Sequence, residues 1–215
     1  MKRQDNGIVE IGNIPFRMNA LTSVYPQIKR LAAKAKALKD SNELCRLKKG
    51  LYVVNPDASR KPIVMPLLAN HIYGPSYVSM ESALRYYGLI PDAVYSTISL
   101  TTGVARKYKN CFGEFRYIHC DKAYFSIGVT IKEEADVSFL IAGREKALCD
   151  QIMYTSRLSL RYQSDVERYL EDDLRFDIGS LADFDLEVLR ACADTGRKKA
   201  SIIQLIRFIE NEWGV

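Results

Sequence analysis

Two stretches of this chain put reactive residue types side by side. His119 and Cys120 place a base next to a thiol nucleophile, and "SMES" carries Ser79, Glu81 and Ser82 within four positions. Hydrolytic or transfer chemistry at the first would need the imidazole and the thiol hydrogen-bonded to each other. Adjacent residues of a strand point to opposite faces, so "YIHC" reads as a strand carrying a partly buried histidine. At "SMES" a helix start accounts for all three residues: Ser79 as N-cap, Glu81 near the positive end of the dipole, Ser82 in the first turn. Further on, Lys146 and Asp150 stand four apart in "GREKALCD", the spacing of an ion pair along one helix face, solvated or tied to a neighbouring loop. A metal-dependent nuclease would need carboxylates such as Glu114 and Asp150 to converge from different elements. Gly103 and Gly113 are isolated, so no glycine-rich phosphate loop is evident. No catalytic constellation stands above its structural explanation.

Binding chemistry is better represented. Residues 27–61 hold ten Lys/Arg against three Asp/Glu, a local +7 in a chain of net +5, while residues 62–215 sum to −3. A basic segment on a mildly acidic body indicates a localised contact with a polyanion. Within it, "QIKRLAAKAKALKDSNEL" is rich in helix formers. At 100° per residue, Ile28, Leu31, Ala32, Ala35 and Leu38 share one arc; Lys29, Arg30, Lys34 and Lys36 share the opposite one, with Lys39 at the seam. Next comes "LCRLKKGLYVV", a ribbon with Arg46, Lys48 and Lys49 before Gly50. Leu44, Leu47, Tyr52 and Val54 are placed to alternate between core and solvent.

A basic helix followed by a cationic ribbon is the order of a winged helix-turn-helix, which lays the helix in the major groove while cations hold the phosphates. Such a module has three helices before its ribbon, and this chain has room for about two. The packing partner of the basic helix is expected at residues 15–25, started by Pro15; "GIVEIG" before it reads as a short strand or an ordered arm. "NPDASRKP" reads as a linker. Beyond it, helices are expected at "VMPLLANHIYG", "YVSMESALRYYGLIP" (capped by Gly88), "GREKALCDQIMYTS" and over 165–213, with breaks near Gly179 and Gly196. Strands are expected in "AVYSTISLTTGVARKY", "FGEFRYIHC", "AYFSIGVTI" and "VSFLIA".

The five cysteines are odd in number, scattered and without a CxxC pair, which suits neither zinc nor a disulfide framework. Free thiols in a cytoplasmic protein are expected. There is no apolar run of spanning length and no signal-peptide core, so no membrane contact is expected.

Residues 43–155 resemble the AbiEi-type antitoxins of type IV toxin–antitoxin systems. The resemblance is carried, in order, by "RLKKGLYV", "YVSMESALRYYGLIP", "FGEFRYIH" and "FLIAGREKALCD". It implies an α+β protein: a winged helix-turn-helix over 1–58, then a mixed α/β antitoxin domain over 59–215 with a helical C-terminus. It implies an autoregulator that binds double-stranded DNA at its own promoter and counters a nucleotidyltransferase-type toxin, with no cofactor and no enzymatic activity. On that reading the DNA-binding residues are Lys29, Arg30, Lys34, Lys36, Arg46, Lys48 and Lys49. The antitoxin-domain motif contributes Ser79, Glu81, Ser82, Arg144, Glu145 and Lys146. Two alternatives remain open: a nucleic-acid-processing enzyme using C-terminal carboxylates, and an interaction module whose basic helix meets an acidic protein.

Overall fold

The computed structural model describes residues 6–91 and 95–214, and it is a mixed α+β structure with a helical C-terminal region. Three short helices precede the ribbon where the sequence left room for two: α1 (Asn6–Val9), α2 (Ala20–Val24) and α3 (Leu31–Asp40). "GIVEIG" thus contributes to a helix, not a strand. Pro15 starts no helix either; Phe16–Arg17 form a two-residue strand, β1. The reason is tertiary. Phe16 pairs across to Tyr52, with ring centroids 6.4 Å apart, and both rings are buried.

The ribbon is present as β2 (Leu44–Lys48) and β3 (Leu51–Val54), joined by Lys49 and Gly50 and bulged between Arg46 and Lys48. Gly50 turns at φ +78, a conformation that suits glycine. With β1 they make a three-stranded antiparallel sheet in the order β1-β3-β2. All four residues of β3 are buried, so the expected solvent face does not exist. Tyr52 and Val54 join Leu44, Leu21 and Leu38 in a small core, whereas Leu51 and Val53 join Cys45 and Leu47 in the large one. An unbroken "LYVV" run is what a strand covered on both sides requires.

"NPDASRKP" is no plain linker. Asn55 accepts a hydrogen bond from the Asp57 amide at 3.1 Å, Pro56 takes the first helical position, and α4 (Pro56–Ser59) results. Asn13 then clasps the following segment through the Pro62 carbonyl at 2.8 Å.

Beyond it come α5 (Met65–Ile72), β4 (Ser76–Val78), α6 (Glu81–Tyr86), β5 (Ser96–Thr101), β6 (Arg106–Asn110), β7 (Gly113–His119), α7 (Lys122–Phe125), β8 (Val129–Glu134), β9 (Val137–Ala142) and α8 (Arg144–Tyr154). The start of the "AVYST" strand, Ala93 and Val94, lies outside the described residues. "AYFSIGVTI" divides into α7 and β8, with Gly128 turning at φ +60 between them. The six strands form one mixed sheet, β6-β7-β5-β4-β9-β8; β5 runs parallel to β7 and β4 parallel to β9. The C-terminal region comprises α9 (Gln163–Arg168), a π-helical turn (Tyr169–Asp173), a 3-10 segment (Ile178–Asp183), α10 (Leu186–Thr195) and α11 (Lys199–Trp213). Gly196 marks a break as expected, whereas Gly179 lies inside the 3-10 segment. Among the described residues no helix is long and apolar enough to cross a membrane.

Candidate nucleic-acid interface

Helix α3 begins at Leu31, with Arg30 as its N-cap, so Lys29 and Arg30 lie outside the helix that was to present them. No side chain caps that end, and the helix is defined by what it buries, Ala35 and Leu38. Ala32, expected in the core, is exposed, as is Lys36. Lys34 is half-buried, its ammonium 4.5 Å from the centre of the Tyr25 ring. The expected row of four helical cations is therefore two on α3, with Lys39 in the last turn.

On the hairpin, Arg46 and Lys49 are exposed. Lys48 is half-buried and donates to the Ile72 carbonyl at 2.5 Å. Burial first, then the charge of Arg17, holds its ammonium below the ordinary lysine value.

The neighbour of this hairpin was not foreseen. Strand β2 lies alongside β6, the edge strand of the large sheet. Asn110 donates to the Leu47 carbonyl at 3.3 Å, and the Lys48 ammonium stands 5.9 Å from the Tyr108 ring centre. Strand β6 reads "RKYKN", with Arg106, Lys107 and Lys109 exposed. Arg106 and Tyr108 turn towards Tyr73, so Lys107 and Lys109 project from the other face, Lys107 opposite Arg116 and Lys109 opposite Glu114 on β7. The run was visible in the sequence, but the −3 total for residues 62–215 concealed it.

The six residues that the resemblance singled out occupy different ground. Ser79 is not an N-cap: Met80 takes that position at φ +54, and the Ser79 hydroxyl donates to Asp150 at 2.6 Å in the interior. Lys146 and Asp150 are not solvated but fully buried, 3.4 Å apart. Tyr77 and Tyr124 also donate to the Asp150 carboxylate, at 3.1 and 2.6 Å, and Lys146 donates to the Tyr124 carbonyl at 3.0 Å over that residue's ring. Burial is the largest influence on Asp150 and raises its carboxyl above the usual range; the Lys146 charge and the three hydroxyls oppose it.

This cluster joins β4, α7 and α8, and its neighbours fasten the rest. Ser82 bridges to β5, accepting from the Ile98 amide at 2.9 Å and donating to the Ser96 carbonyl at 3.2 Å. Glu81 accepts from Gln151 at 2.9 Å. Arg144 donates to the Asp183 carbonyl at 3.2 Å, and Glu145 accepts from the Asp185 amide at 3.3 Å. All six motif residues are thus structural ties. The carboxylates of a nuclease do not meet: Asp150 is sealed inside, and Glu114 sits half-exposed near Arg116.

Gly128 fits closely over this cluster. A β-carbon there would meet Val188 Cγ1 at 2.9 Å and Lys146 Cβ at 3.0 Å. Gly128→Ala is expected to cost about 2–4 kcal/mol through overpacking and left-handed strain. Thermal denaturation should show the loss; an unchanged Tm would mean the neighbours yield freely.

His119 and Cys120 diverge as expected: His119 is exposed and bonded to the Gly103 carbonyl at 2.9 Å, while Cys120 is buried. All five cysteines are free, and only Cys111 is exposed. Burial pushes the Cys45 thiol up to about 12 and the Cys120 thiol up to about 11. A disulfide reagent at pH 8 is therefore expected to titrate Cys111 alone in the native protein, and all five thiols after denaturation. Rapid native modification of Cys45 or Cys120 would contradict the packing.

The chain matches no known family model, and no curated protein is significantly similar to it.

Proposed function

We propose that this protein is a DNA-binding autoregulator and antitoxin that counters a nucleotidyltransferase-type toxin. The observation that supports it best is the cationic band that passes from one structural unit to the other. Arg46 and Lys49 are exposed on the hairpin, whose strand β2 packs against β6; there Arg106 lies on the face nearer Lys48, and Lys107 and Lys109 are exposed on the other face. Exposed cations on these adjoining elements suit a phosphate backbone, where neutralisation releases counterions. The order α1-β1-α2-α3-β2-β3, with the three strands in one antiparallel sheet, is compatible with a winged helix-turn-helix in which α3 would be the recognition helix and the hairpin the wing. An acidic protein partner would suit the same cations. Duplex DNA is favoured because the band crosses two units and so offers contacts along an extended polyanion.

The experiment is a mobility-shift titration of the full chain with its upstream DNA across a salt series. Steep weakening with salt supports the reading; salt-independent or absent binding opposes it. Toxin neutralisation is read separately, as rescue of growth when the chain is co-expressed with a neighbouring nucleotidyltransferase-type toxin. Separating the two activities calls for point variants. A cut at residue 59 would remove Leu47, Leu51 and Val53 from the large core and leave its face bare.

A further inference from the structure

Between β1, the β2–β3 turn and α5 the protein has a cleft of about 680 Å³, walled by Arg17, Lys48, Lys49 and His71, with Phe16 and Met18 on its apolar side. Among the described residues no acidic one lines it. Arg17 and Lys48 are close enough for the guanidinium charge to disfavour the ammonium, and neither has a carboxylate within ion-pair reach among the described residues. Like charges converging on a hollow without a counter-ion define a place where an anion is stabilised. Arginine supplies planar, forked donors suited to a phosphoryl group, and the lysines supply point charges. A lone phosphate would fill little of the volume, which falls within the range of small-ligand pockets, about 300–1,000 Å³. The apolar side suits a ring held next to the phosphate.

We propose that this cleft binds a nucleoside phosphate, its phosphoryl group held by Arg17, Lys48 and Lys49. A bound nucleotide takes Lys49 away from the hairpin's outer surface and so competes with DNA there. The site itself does not depend on the duplex reading, because none of its lining residues belongs to α3 or β6.

The test is calorimetric titration of the full chain with AMP, UMP, adenosine and inorganic phosphate. At least one monophosphate should bind saturably at one site, with adenosine silent and inorganic phosphate weaker. Arg17→Gln and Lys49→Gln together should weaken that binding at least about tenfold, from the loss of two charge-assisted contacts. Lys107→Ala should leave it unchanged. No saturable binding of either monophosphate, or full retention in the double variant, would overturn the proposal. Equal affinity for inorganic phosphate would overturn the nucleoside part. If the double variant weakens only duplex binding, and no monophosphate binds, the cleft is a DNA-backbone contact and the proposal fails. If a monophosphate binds but duplex does not, the cleft stands and the DNA reading falls.

Discussion

Asp150→Ala is expected to lower the stability of this protein by about 3–5 kcal/mol, the cost of removing one member of a buried ion pair. The substitution strands the Lys146 ammonium in a site with no solvent access and deprives Ser79, Tyr77 and Tyr124 of their shared acceptor. Each unsatisfied buried hydroxyl adds a penalty of its own, about 1–3 kcal/mol when uncompensated. Urea denaturation at neutral pH gives the measurement. Replacing both charges, Lys146→Met with Asp150→Leu, should recover only the part of the loss due to the stranded ammonium, because an apolar pair leaves no charge unmatched but still gives Ser79, Tyr77 and Tyr124 no acceptor. If Asp150→Ala unfolds within about 1 kcal/mol of the parent, the cluster is not what joins β4, α7 and α8. Double-variant recovery with duplex binding intact would show that the interior pair serves the fold alone.

The second large effect belongs to the surface. Replacing Lys36, Lys107 and Lys109 by alanine is expected to reduce the slope of log affinity against log salt by about 2.7, at about 0.9 per lost phosphate contact. Near physiological salt that corresponds to roughly a hundredfold weaker duplex binding. All three side chains are exposed, so the fold should be unaffected. Lys199→Ala is the control: this lysine is bound to Asp194 at 2.7 Å and lies on α11, away from the cationic band. Testing Lys107 and Lys109 without Lys36 asks whether β6 takes part. A wild-type slope in that double variant would confine the interface to α3 and the hairpin.

The hairpin, most strands of the large sheet, α5, α6 and α8 were legible because their signals are local. Lys49-Gly50 needs no distant partner to turn, and "VSFLIA" or "REKALCD" carries its own periodicity or propensity. The basic character of residues 27–61 was equally plain, as charge is a property of composition. What sequence could not supply was neighbourhood. Lys146 and Asp150 show the same i,i+4 spacing whether they face water or the core, and only burial under β4, α7 and α10 made them an interior pair. Ser79 has the residue type of an N-cap, yet a carboxylate 71 residues away claims its hydroxyl. Phe16 left a helical pattern for a strand because Tyr52 offered a partner. The seven residues first assigned to DNA all came from one basic stretch, while Arg106, Lys107 and Lys109 were passed over inside a segment of net negative charge. Net charge sums along the chain, whereas a phosphate backbone meets only cations that folding sets side by side, and the packing of β2 against β6 is a long-range contact that no local pattern encodes.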